Sequence, residues 1–200
     1  MLKRCRSVLV LIGLLLMPAG YARAADSNSY LGAGLGVFGL AENGPGISQA
    51  DSVFGGFLKG GLEINDYLGV EVRIGSTVKG VRDNAAGTFG YPAPFTTSIQ
   101  AESFISYLAK LRYPLMPAFR PYALLGATTA RFKSTLLISG VHTSTVNTVT
   151  GLSYGIGGDY AIDERFSAGA EWVQYWNGVT TTPNTKARFW GATAFLHIYF

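Results

Sequence analysis

The residues of this sequence that could do chemistry are few and widely separated. Its two histidines, His142 and His197, lack the short spacing that metal ligands share, so we expect no metal site. His142-Thr143-Ser144 combines a potential base with a potential nucleophile, but catalysis would also need an acid that orients the base. The acid on the following strands, Glu171, falls near the opposite end of its strand. We therefore predict no catalytic residue and no cofactor.

A glycine-rich segment, Gly34-Leu35-Gly36-Val37-Phe38-Gly39, formally matches the G-x-G-x-x-G pattern of nucleotide-binding loops. Such a loop must be followed by a helix whose N-terminus faces the phosphate. Alternating apolar residues run through this motif instead, and no helical period follows it. The motif therefore predicts a strand and no nucleotide site.

The charged residues form a more coherent set, because many of them occupy alternate positions of predicted strands. In Leu68–Ile74 one face carries Leu, Val, Val and Ile, while the other carries Gly, Glu71 and Arg73. Continued along the chain, this alternation predicts a common charged face that would include Lys59, Glu71, Arg73, Glu102, Lys110, Arg131 and Glu171.

The elements that must position these charges are strands. No sustained helical period occurs after residue 25, whereas alternation with a period of two recurs in eight segments. Several of the segments can supply the ~9–11 tilted residues that cross a bilayer. The predicted strands cover approximately 29–40, 52–63, 67–76, 99–113, 121–133, 148–160, 166–176 and 187–200.

The predicted connections between these strands alternate in length. Those after strands two, four and six are short, whereas those after strands one, three, five and seven are rich in Gly, Asn, Ser, Thr and Pro. The long connections cover about 41–51, 77–98, 134–147 and 177–186. Short turns at one end and long loops at the other are typical of an up-and-down barrel in the outer membrane.

The polarity of the two strand faces favours a membrane barrel over a soluble sandwich. The face opposite the apolar one carries glycine as well as charge, as in Gly32, Gly34 and Gly36, and would fill a narrow lumen. We predict ion pairs in that lumen, Glu102 with Arg131, and Glu71 and Glu171 with the nearby cations. Aromatic girdles are expected on the outer face, formed by Tyr113, Tyr122, Tyr160, Phe166 and Phe200 at one end and by Phe132, Trp172, Trp176 and Trp190 at the other.

The N-terminus reads as a signal peptide. A basic start is followed by an apolar run from Val8 to Met17 and by the small-residue site Ala22-Arg23-Ala24. We predict cleavage after Ala24, which leaves a single barrel domain over residues 25–200. The four basic residues of the segment account for the net charge of +4, so the remainder is balanced and gives no sign of nucleic-acid binding. The remainder also lacks cysteine, because the single one is Cys5.

The last strand carries a resemblance to a known family. Leu196, Ile198 and Phe200 share one face, and a terminal phenylalanine on an alternating strand resembles the assembly signal of outer-membrane barrels. Together with Tyr67-Leu68-Gly69-Val70-Glu71 and Pro121-Tyr122-Ala123-Leu124-Leu125-Gly126, it makes the chain similar to the OmpA/OmpX-type small outer-membrane β-barrel family, also called porin-family proteins. The resemblance implies an all-β, eight-stranded antiparallel up-and-down transmembrane β-barrel in the outer membrane of a Gram-negative cell.

The resemblance also implies partners and a range of functions. Outer-membrane lipid, lipopolysaccharide and the barrel-assembly machinery are the expected partners, and a monomer is the expected state. We expect a non-enzymatic protein with a structural or surface-interaction role in its long extracellular loops. A narrow porin-like channel for ions or small solutes and a lipid A-modifying barrel enzyme are the alternatives.

Overall fold

The computed structural model describes residues 29–44, 47–116, 118–182 and 184–200. The predicted signal peptide, residues 1–24, lies outside the described residues. Within them, no helix is long and apolar enough to cross a membrane.

Nine strands and one short 3₁₀ helix make up the described chain. The helix covers Thr88–Gly90. The strands are β1 (Ser29–Gly44), β2 (Ile47–Glu63), β3 (Leu68–Thr77), β4 (Gly80–Asn84), β5 (Phe95–Arg112), β6 (Phe119–Ile138), β7 (Val141–Ala161), β8 (Phe166–Thr182) and β9 (Thr185–Tyr199).

These strands close into a ring of antiparallel neighbours. β1 pairs with both β2 and β9, and the ring is completed by the pairing of β3 with β5. The wall therefore contains eight strands, as predicted. The ninth, β4, was not predicted; it pairs with β5 from Phe95 to Ile99, beyond the stretch that pairs with β3.

One end of the barrel carries tight connections and both ends of the described chain. In the β2–β3 connection, the Asn65 side chain accepts hydrogen bonds from the backbone N–H groups of Tyr67 and Leu68, both at 2.8 Å. Asp163 does the same for Arg165 and Phe166 between β7 and β8. We call this the periplasmic end and the opposite one the extracellular end, following the general pattern of outer-membrane barrels.

The prediction of long extracellular loops is wrong at three of its four positions. Most residues of 41–51, 134–147 and 177–186 belong to strands, and β6 and β7 are joined by a turn at Ser139 and Gly140, both with positive φ. The segments looked like loops because they are rich in hydroxyl residues. β-Branched threonines favour strands, however, and Thr135 and Thr129 hydrogen-bond to Ser144 and Thr150 across the β6–β7 pair.

The outer face of the wall is apolar and exposed. Leu35, Leu58, Ile74 and Leu152 each expose more than half of their side chains, a surface suited to lipid. The predicted assembly-signal residues Leu196, Ile198 and Phe200 lie on this outer face too, but their recognition by assembly machinery stays a prediction.

Three aromatic residues predicted for the outer girdles point into the lumen instead. Tyr122, Phe132 and Trp176 are buried, and Phe132 packs against Trp176 with ring centroids 5.5 Å apart. Tyr122 and Phe132 occupy alternate positions of β6 and share one of its faces. Both faces of this strand are apolar, so the sequence did not reveal which of them is inside. Trp176 follows a bulge in β8 that reverses the alternation.

We expect Val72→Arg to impair folding into the membrane much more than Val141→Arg. Val72 lies midway along β3 on the outer face, where a cation at the bilayer midplane costs about 2–4 kcal/mol. Val141 lies at the tip of the β6–β7 hairpin and is 67% exposed. The fraction of heat-modifiable folded protein in lipid vesicles measures both effects. Equal loss in the two variants would contradict the assignment of the outer face.

Candidate functional site: the lumen and the extracellular edge

A guanidinium held between two carboxylates lies in the periplasmic half of the lumen. Arg73 donates two hydrogen bonds to Glu171, from Nη1 to Oε1 at 2.5 Å and from Nη2 to Oε2 at 2.8 Å. Its Nε donates to Glu71. All three side chains are almost completely buried, so the charges compensate one another where water is largely excluded.

The strand register explains why these charges meet. Arg73 on β3 is the direct neighbour of Lys59 on β2, and Glu71 lies one alternate position below Arg73. Glu171 reaches the same level from β8, across the lumen. The Lys59 Nζ lies 3.6 Å from Glu71 and 3.7 Å from Glu171, and 3.4 Å from the centre of the Phe195 ring. We call Lys59, Glu71, Arg73 and Glu171 the lumenal cluster.

Two tyrosines complete the hydrogen bonding of the carboxylates. Tyr30 donates to Glu71 at 2.6 Å, and Tyr122 donates to Glu171 at 2.7 Å. Space for large side chains comes from glycines on the inner face. At Gly34 a Cβ atom would lie 2.4 Å from the Phe57 ring, so any larger residue would displace that ring.

A second group of ion pairs lies nearer the periplasmic mouth. Lys110 contacts Asp159 at 2.5 Å, and Arg112 contacts Glu63 at 2.6 Å. The His197 Nδ1 lies 4.0 Å from Asp159, and its ring stacks on Tyr30. The two groups together contain as many lysines and arginines as carboxylates, so the periplasmic half of the lumen is electrically balanced.

Above the lumenal cluster, an aromatic layer closes the lumen. We use this name for Phe38, Phe104, Phe132, Tyr175, Trp176 and Phe189. Phe38, Tyr175, Trp176 and Phe189 are 0% exposed, and the Tyr175 and Phe189 rings stack with centroids 4.6 Å apart. Since β1, β5, β6, β8 and β9 all contribute, the layer spans the lumen from wall to wall.

Two of the residues predicted for the lumen lie on the outer face. Arg131 contacts Glu102 at 2.9 Å, and Lys133 contacts it at 3.4 Å, but the Arg131 side chain is 58% exposed. The predicted pair therefore exists, while its predicted position is wrong. Glu102 lies in a β-bulge between Ala101 and Ser103, which interrupts the alternation of β5.

The aromatic layer was missed by the sequence analysis, although a signal for part of it was present. Phe104 lies six residues before Lys110 on β5, an even spacing, so it shares the inner face with a residue already assigned to it. Outside the layer, Phe57 has the same relation to Lys59, two residues further along β2. The expectation of lipid-facing aromatic girdles places Phe132 and Trp176 outside, whereas both rings fill the lumen.

His142 and Ser144, the potential base and nucleophile, do not contact Glu171, the acid considered for them. His142 and Ser144 lie on β7 near the tip of the extracellular hairpin, whereas Glu171 is buried in the lumenal cluster. Ser144 hydrogen-bonds to Thr135 of the neighbouring strand. No side-chain hydrogen bond among the described residues orients His142 as a base for Ser144.

The extracellular half of β7 has an edge that no strand covers. Pairing between β7 and β8 covers only Tyr154–Ala161 and Ser167–Gln174. From Val141 to Ser153, β7 pairs with β6 alone in the described part of the chain. Ser153 and Gly151 still contact β8 through Tyr175 and Trp176. Beyond them, residues 141–148 form an exposed edge, which we call the β7 edge.

Comparison with known proteins agrees with this architecture. The family model for the outer membrane protein beta-barrel domain matches residues 7–195. No curated protein sequence matches the chain significantly.

Several solved structures resemble this barrel. Neisserial surface protein A superposes with a TM-score of 0.57 at 17% identity, covering 88% of this chain and 100% of its own. Ail, the attachment invasion locus protein of Yersinia pestis, gives a TM-score of 0.52 at 19% identity, covering 85% of this chain and 99% of its own. OprG of Pseudomonas aeruginosa gives 0.50 at 14% identity, covering 90% and 99%. Identities this low show a common fold alone.

We expect Glu71→Gln to destabilise the barrel by about 3–5 kcal/mol, because it leaves buried cations without one of their counter-charges. Glu102→Gln is the matched control; it removes a carboxylate from a partly exposed pair and should cost about 0–1 kcal/mol. Urea unfolding in lipid vesicles gives both free energies. A Glu71→Gln barrel as stable as the Glu102→Gln barrel would show that the lumenal cluster is hydrated and contributes little.

Proposed function

Because the chain belongs to the outer membrane protein β-barrel domain family, we propose that it is a non-enzymatic outer-membrane protein whose extracellular strands bind other molecules at the cell surface. The sequence predicted the surface-interaction role in long loops, whereas here it is assigned to the extracellular parts of the strands. It rests mainly on one observation, the uncovered β7 edge at the extracellular end.

An uncovered strand edge offers unpaired backbone N–H and C=O groups to another chain. Natural proteins usually protect such edges with lysine, proline or a covering segment. Residues 141–148 read Val-His-Thr-Ser-Thr-Val-Asn-Thr and contain neither lysine nor proline. Val141, His142, Thr143, Ser144 and Thr145 are all exposed. Such a segment is suited to accept an extended strand of a partner protein by β-augmentation.

We expect Ser144→Lys to abolish this binding while leaving the barrel folded. A lysine on an edge strand opposes pairing with another strand, because the side chains of an added strand would crowd the lysine and remove part of the water around its charge. The measurement is adhesion of cells that express the protein to protein-coated surfaces, with surface expression verified for each variant.

Thr135→Lys is the matched control for Ser144→Lys. Thr135 is the register partner of Ser144, so both side chains lie at the same height and on the same face. Thr135 also pairs with Ser98 on its other side, which leaves its strand without a free edge. Equal loss of adhesion in the two variants, or no loss in either, would overturn the edge as the binding element.

The closed lumen argues against the channel alternative. The aromatic layer and the lumenal cluster both block the axis with side chains that are almost fully buried. We expect the protein in planar bilayers to produce no stepwise conductance above the baseline. Discrete steps that grow after Phe189→Ala would instead favour a narrow channel gated by the aromatic layer.

A further inference from the structure

A polar cleft lies on the outer wall of the barrel near the extracellular end of β8 and β9. It has a volume of about 510 Å³ and is lined by Asn43, Asn177, Thr180, Lys186 and Arg188, among others. Bulges between β8 and β9 at Asn177 and Thr180 interrupt the regular wall at this point. The proposed function does not use this cleft.

The chemistry of the cleft suits an anion. Lys186 and Arg188 are exposed and occupy successive outward positions of β9. No carboxylate occurs among the described residues that line the cleft, and the Arg188 Nε instead donates to the Asn177 side chain at 3.1 Å. The outward cations of β6 differ in this respect, because Arg131 and Lys133 both contact Glu102. Lysine, arginine, amide and hydroxyl groups together are typical donors to phosphate oxygens.

The height of the cleft points to the source of the anion. Trp190 lies on β9 one outward position below Arg188, and its indole lies over Gly39 of the neighbouring strand, where a Cβ atom would be 1.9 Å from the indole nitrogen. An outward tryptophan at the end of the apolar wall marks the membrane interface. A strand rises ~3.4 Å per residue and is tilted by ~35–45°, so Arg188 lies about 5 Å and Lys186 about 10 Å beyond that level. This is the layer of lipid headgroups.

We propose that this cleft binds a phosphate group in the headgroup of a phosphorylated glycolipid of the outer leaflet. Arg188 and Lys186 contact the phosphate oxygens, the amides of Asn43 and Asn177 donate further hydrogen bonds, and Trp190 packs beside the start of the acyl chains. The proposal rests on the outer-membrane location in the proposed function but not on the β7 edge.

The test compares binding of diphosphorylated lipid A with binding of the same lipid after removal of its phosphates. The protein is extracted from outer membranes in a non-ionic detergent, and the dissociation constants are measured by titration calorimetry with a chelator present to exclude bridging metal ions. For Lys186→Gln/Arg188→Gln we expect the affinity for the phosphorylated lipid to fall about tenfold, equivalent to about 1.4 kcal/mol. The affinity for the dephosphorylated lipid should not change.

The matched control is Arg131→Gln/Lys133→Gln, which removes two positive charges from the same outer face and should alter the affinity less than about twofold, given the small contribution of exposed charge pairs. Equal weakening by both double variants would show attraction to general surface charge and overturn the site. Equal affinity for the two lipids, or inorganic phosphate binding as tightly as the lipid, would overturn the lipid headgroup as the ligand. Ser144→Lys should leave lipid binding intact, which separates this test from that of the proposed function.

Discussion

The burial of Arg73 is the constraint on which the periplasmic half of the barrel depends. A guanidinium cannot lose a proton to become neutral, so its positive charge must be compensated inside the lumen. Glu71 and Glu171 supply that compensation from opposite walls. The second oxygen of Glu71 accepts a hydrogen bond from Tyr30, and Glu171 Oε2, which already accepts from Arg73, accepts a further one from Tyr122. Each of these side chains fixes the distance between two strands. The charged cluster therefore links strands that share no backbone pairing.

The two halves of the barrel differ in how the edges of their strands are covered. In the periplasmic half every described strand has two hydrogen-bonded neighbours, so no edge remains among them. In the extracellular half the β7–β8 pairing ends at Tyr154, and β2 pairs with β3 only up to Gly55. Beside β2, Arg82 bridges the unpaired stretch by contacting Asp51 and the Ala50 carbonyl. Between β7 and β8, Trp176 fills the unpaired stretch only as far as Gly151, which leaves the β7 edge uncovered.

The alternation of the sequence predicts the fold because lipid and lumen impose opposite polarities on neighbouring residues. Where a strand keeps its period, as around Glu71 and Arg73 on β3, the assigned face agrees with the structure. A bulge adds one residue and reverses the faces beyond it, which a regular pattern cannot reveal. This explains the misplaced Glu102. On β6 the inner Leu124 and the outer Leu125 are both apolar, so polarity could not fix the face of Arg131.

The bulges of β8 link the closing of the lumen to the chemistry of the outer wall. At the first bulge, Tyr175 and Trp176 both turn inward and complete the aromatic layer, while the Gln174 amide donates to the carbonyls of Trp176 and Phe189. This amide satisfies backbone oxygens that the interrupted ladder would otherwise leave unpaired. The bulges that follow at Asn177 and Thr180 break the apolar wall directly above, and the polar cleft beside Lys186 occupies that break. The same irregular stretch of strand thus fills the axis of the barrel with aromatic side chains and gives its outer surface a polar recess.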